Sequence, residues 1–163
     1  MPLFLTLLLF FAQADSKPVY NREEYLSNLK REFFRGDFWD MLTYPNSGKG
    51  YFSSKAEARK LVTIVPIPVV EPTASKAGLS FKQDRMAAFV LKKGKLIGIV
   101  TFQKTNAAWY GGYDDDLPVS QKLYEAYTHN KSDFYSKCST MCGYILLRNN
   151  HEYSWNHDTK SFE

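Results

Sequence analysis

The chain lacks the motifs that usually announce chemistry. It has no Gly-x-Ser-x-Gly elbow, no His-Glu-x-x-His pair and no phosphate-binding loop. No local pattern therefore exposes a serine nucleophile, seats a catalytic zinc or cradles a phosphate. Concentrated charge is missing too: the formal net charge is +4, and no five or six basic residues run together. Binding to nucleic acid is excluded on that ground, because phosphate recognition needs a dense basic face. No apolar run beyond Phe11 is long enough for a membrane span. Only two cysteines are present, Cys138 and Cys142, too few for a four-thiolate zinc site, and nothing in the residues implies a metal or other cofactor.

What is present begins with an export signal. Residues 1–14, MPLFLTLLLFFAQA, carry no charged side chain, run apolar from Leu3 to Phe11 and close on Ala12-Gln13-Ala14. A short apolar run ending in small-x-small reads as a secretory signal peptide cleaved between Ala14 and Asp15. The expected mature protein, residues 15–163, is one secreted or periplasmic domain without a membrane span, long enough to enclose a core of its own. Export makes the cysteines legible: in an oxidising compartment an even pair is expected to form a disulfide, Cys138–Cys142. Three residues separate them, where the usual redox motif has two.

The clearest structural signal is Met86 to Gln103, two apolar arms meeting at Lys93-Gly94. Glycine supplies the positive φ of a tight two-residue turn. The expected register sets Leu91 against Leu96, Val90 against Ile97 and Ala88 against Ile99. Both faces of this hairpin are apolar near its middle, so it should lie inside a sheet and be covered on both sides. Ahead of it, Asn21 is placed to cap a helix with Leu26, Leu29 and Phe33 on one stripe. Asp37 is placed to cap a short turn, and Ser54 a brief helix ending near Leu61. Val62 to Val70 is strand-like, and Pro66 and Pro68 assign it to a sheet edge. After the hairpin, Asp116 is placed to cap a helix burying Val119, Leu123 and Tyr127. A second hairpin follows around Asn149-Asn150, with Leu146 facing Tyr153 and Ile145 facing Ser154. The order implies an α+β domain: a mostly antiparallel sheet of about five strands, from two hairpins and an edge strand, with helices packed on one face. No family is recognisable from the residues.

Asn106 to Asp116, NAAWYGGYDDD, reads as the most unusual loop of the chain. Trp109, Tyr110 and Tyr113 surround two glycines, and Asp114 and Asp115 follow. Aromatic rings beside acids suit a protein interface, or a sugar face whose hydroxyls the carboxylates would accept. The bland alternative folds the rings onto the sheet and leaves the acids to cap the next helix. Calcium is disfavoured, because adjacent Asp residues lack the alternation of an EF-hand loop.

The expected function is accordingly binding without turnover, by an exported interaction protein such as an inhibitor, an immunity-type protein or an envelope accessory factor. Its expected partner is a protein rather than a glycan, and no catalytic residue is assigned. The alternatives are a small secreted hydrolase drawing on His129, His151 or the pair His157-Asp158, and a glycan-binding module. Adjacent residues on a strand point to opposite faces, which weakens the His157-Asp158 dyad.

Overall fold

The computed structural model describes residues 20–35, 50–71, 79–114, 116–138, 142–149 and 151–163. The signal peptide expected over residues 1–14, the turn expected after Asp37, Asp115 and Asn150 lie outside the described residues.

The helices start where short polar side chains can accept hydrogen bonds from the first turn. Asn21 opens α1 (Arg22–Phe33), its Oδ1 accepting from the N–H groups of Glu23 at 3.1 Å and Glu24 at 3.2 Å. Leu29 and Phe33 are fully buried, and Leu26 packs beside them. Ser54 opens α2 (Lys55–Leu61), accepting from the Glu57 N–H. The Glu57 carboxylate reaches back to the hydroxyl and N–H of Ser53, which hold it below the usual carboxylate range. Asp116 opens α3 (Leu117–His129) through the Val119 N–H, and Val119 and Leu123 are buried.

The strands divide into two sheets. The first has the order β1 (Val62–Ile67), β3 (Arg85–Lys92), β4 (Lys95–Thr105), β5 (Ala108–Asp114), antiparallel throughout. The second runs β2 (Val69–Val70), β6 (Phe134–Cys138), β7 (Cys142–Arg148), β8 (His151–Asn156), β9 (Ser161–Phe162), antiparallel except where β2 joins β6. The proline-bearing stretch is thus an edge twice over: β1 closes one sheet, the chain turns at Pro68, and β2 closes the other. The expected α+β, mostly antiparallel class holds.

The central hairpin occupies the interior of the first sheet. Lys93 and Gly94 make its turn with φ of 51° and 79°, the pair of left-handed conformations whose twist suits a two-residue hairpin. Leu91 faces Leu96 as expected, but the register then slips. Val90 pairs with Gly98 and Phe89 with Ile99, because Ile97 bulges out of the ladder. The bulge follows from Gly98, where an added Cβ would lie 2.5 Å from the Asp114 carbonyl oxygen and 2.6 Å from the Tyr113 ring. Backbones and a tyrosine come that close only over glycine. The second hairpin keeps its expected register, Leu146 against Tyr153 and Ile145 against Ser154.

Both faces of the first sheet are covered. α1 and α2 pack on one face through Leu29, Phe33 and Ala58 against Ala88, Val90, Val100 and Phe102. α3 and the second sheet cover the other, where Phe89 meets the rings of Tyr124, Tyr127 and Phe134 at 5.1–5.9 Å between centroids. No helix among the described residues is long and apolar enough to cross a membrane.

Candidate functional site

Asn106-Ala107 forms a two-residue turn, with φ of 50° and 66°, and the stretch read as a loop continues as strand β5. That corrects the expectation: Trp109, Tyr110, Tyr113 and Asp114 stand on an edge strand. Two glycines and an acidic end disguise it, since glycine and aspartate are rare in strands, and β5 is held by pairing with β4 rather than by its own propensity.

Strand alternation separates the four residues. Trp109 and Tyr113 turn toward the face covered by α1 and pack against its core. Tyr113 donates its hydroxyl to the Ile97 carbonyl, the oxygen displaced by the bulge, and its ring meets Tyr51 at 6.2 Å. Lys104 lies over the Trp109 ring, 5.9 Å from its centroid. Tyr110 and Asp114 belong to the opposite face. The Asp114 carboxylate accepts from the Asp116 N–H at 2.9 Å, so it shapes the approach to α3. Tyr110 is 63% exposed, the most open large aromatic among the described residues. Asp115 lies outside those residues.

On Tyr110's face the cross-strand rows run Arg85, Gln103, Tyr110 and then Ala87, Thr101, Gly112. Opposite them stand Ser136 of β6 and the Cys138–Cys142 disulfide, which joins directly paired residues of β6 and β7. The space between these walls is a cleft of about 210 Å³. Gly111 and Gly112 line its mouth; Gly112 shares Tyr110's face, and a Cβ there would crowd the Thr101 hydroxyl at 3.2 Å. Arg85 is the one charged side chain lining the cleft among the described residues. Its Nη1 lies 3.5 Å from Cys142 Sγ, while its Nε is buried without a hydrogen-bond partner. A smaller hollow of about 60 Å³ adjoins it, sharing Arg85 and Met86 and bordered by Tyr20 and Trp109. Burial pushes the Tyr20 hydroxyl up to about 12, so it stays neutral beside the cleft.

The histidines stand elsewhere. His129 Nδ1 is 2.7 Å from the Glu125 carbonyl at the end of α3, His151 Nδ1 is 3.0 Å from the Asn149 carbonyl, and exposed His157 meets the Trp155 ring edge-on. Among the described residues, no three of His, Cys, Asp or Glu gather as metal ligands. Arg85, Gln103 and Ser136 were invisible as a group in the sequence, because they come from three separate strands. The adjacent glycines between aromatics were the available signal, since glycine inside a strand often marks close approach by another group. Comparison with protein-family models, curated proteins and solved structures finds no match.

Proposed function

We propose that the protein is an exported binding module that recognises a protein partner along the β5 edge and the mouth of the adjoining cleft. The observation that carries this reading is Tyr110: a large aromatic side chain held open on an edge strand, lining the same cleft as a guanidinium whose Nε lacks a partner. Tyrosine and arginine dominate the energetics of protein interfaces, because each joins a broad contact area to directional hydrogen bonding. The edge adds a second mode of contact. In a two-residue hairpin the flanking pair Thr105↔Ala108 is hydrogen-bonded, and bonded pairs recur at every second residue. Tyr110 and Gly112 therefore bond to β4, whereas the N–H and C=O groups of Trp109 and Gly111 point off the sheet. An extended segment of the partner could pair there. Export agrees with the residue 1–14 signal and with the disulfide.

The test is affinity capture from the producing cell's envelope and medium with the wild-type protein and a Tyr110→Ala variant of unchanged circular dichroism. The expected result is one stoichiometric protein retained by wild type, with at least a tenfold loss of affinity in Tyr110→Ala, the size of a modest interface hot spot. Retention indifferent to Tyr110 would move the interface elsewhere. If no protein is retained, the reading fails, and binding on a glycan array would transfer the same cleft to a sugar ligand.

A further inference from the structure

We infer that Cys138–Cys142 is a reversible, thiol-exchanging disulfide, with Cys142 as the reacting sulfur and Arg85 as the group that stabilises its thiolate. Three observations converge. The bond lines an open cleft, and its two ends differ: Cys142 is exposed while Cys138 is 1% exposed and packs in the core. An incoming thiol or disulfide therefore meets Cys142 first. Arg85 Nη1 lies 3.5 Å from Cys142 Sγ, and a fixed positive charge favours the thiolate, the form that attacks. Finally, the two residues are register partners in the β6–β7 ladder, which other backbone hydrogen bonds also hold. Opening the bond leaves the sulfurs adjacent and ready to close again.

The surrounding charges do not oppose this. Arg85 approaches Cys142 from β3. From β6 and β8, Lys137 and Glu152 pair with each other at 2.5 Å, and Lys137 alternates with Ser136 and Cys138, so it projects from the other face of the sheet. Tyr144, two residues along β7, is pushed far above the ordinary tyrosine range by burial and secondarily by Asp114, so it stays neutral. Ser136 Oγ is 3.7 Å from Cys138 Sγ, where its hydroxyl can donate to that sulfur when it carries charge.

The reaction balances with a disulfide R–S–S–R as the oxidant. In the reduced protein, the Cys142 thiolate, its proton released to solvent, attacks one sulfur to form Cys142–S–S–R and expels RS⁻, which is protonated. Cys138 then loses its proton, attacks the Cys142 sulfur, expels the second RS⁻ and restores Cys138–Cys142. Two electrons pass from the protein to R–S–S–R, which leaves as two R–SH. Excess thiol drives the same steps in reverse.

The experiment equilibrates the folded full chain with glutathione buffers of varied ratio, quenches and counts free thiols by mass, then follows iodoacetamide alkylation of the reduced protein against pH. The expected results are partial reduction without denaturant, faster labelling of Cys142 than of Cys138, and a Cys142 profile displaced below the ordinary thiol range. Arg85→Gln should slow Cys142 labelling at pH 7 by roughly tenfold, one unit of thiolate titration, and Arg85→Lys should recover part of it. Should Arg85→Gln fold poorly, Cys138→Ser serves instead: its remaining Cys142 should form a mixed disulfide with glutathione. A bond that opens only in denaturant would overturn the inference, as would labelling of Cys138 first or a pH profile indifferent to Arg85. None of these readouts involves Tyr110 or a protein partner, so this inference and the binding reading stand or fall separately.

Discussion

Tyr25 shows how one side chain can hold the point where two sheets part. Its hydroxyl donates to the Ile67 carbonyl at 2.8 Å and accepts from the Ala87 N–H at 2.8 Å, joining the last pair of the β1–β3 ladder just before Pro68 turns the chain away. Removing the oxygen leaves two buried backbone groups without that partner, a loss of about 2 kcal/mol. Tyr25→Phe should therefore lower the unfolding free energy measured in urea by that amount while the far-ultraviolet spectrum is kept. The same residue makes the fold sensitive to alkali. Burial raises the Tyr25 hydroxyl far above its ordinary 10.0, so the folded state keeps a proton that the unfolded chain gives up. Its contribution is complete below pH 10 and falls as the pH rises further, and Tyr25→Phe should flatten that fall. Tyr113 has a comparable role, with its hydroxyl on the bulged Ile97 carbonyl. Among the aromatic residues singled out from the sequence, it is Tyr110 that remains available to a partner.

At the scale of elements, the bulge, Gly98, Tyr113 and β5 form one unit. Replacing Gly98 by alanine would push a methyl group into the Asp114 carbonyl and the Tyr113 ring. The expected cost is about 1–3 kcal/mol, read from chemical denaturation, with β5 protection from hydrogen exchange lost first. A Gly98→Ala protein as stable as wild type would mean that β5 does not lie so close. Elements with strong local signals were legible in the sequence: the caps at Asn21, Ser54 and Asp116, the Lys93-Gly94 turn and the register around Asn149. Each depends on residues near in the chain. The slip at Ile97 was not legible, because it is imposed by β5 lying across Gly98. Nor was β5 itself, since Gly111, Gly112 and Asp114 oppose strand formation until β4 supplies the partner. Val62 to Val70 reads as one strand, and only the packing of a second layer divides it at Pro68.

At the scale of the whole molecule, the division into two sheets creates the feature on which function is proposed to rest. The layers meet tightly around Phe89 and Phe134, but toward Arg85 they diverge and leave the cleft between β5 and the disulfide. The edge strand, the exposed ring and the reacting sulfur thus share one end of the molecule, which the sequence scatters over Arg85, Tyr110 and Cys142. The most direct test of the binding account is hydrogen exchange on the full chain, alone and with the protein it captures. The account predicts that the partner slows exchange at the Trp109 and Gly111 amides and along the Arg85 end of β3, leaving the β7–β8 hairpin tip unchanged. Protection centred on β7–β8, with β5 exchanging as freely as before, would contradict it.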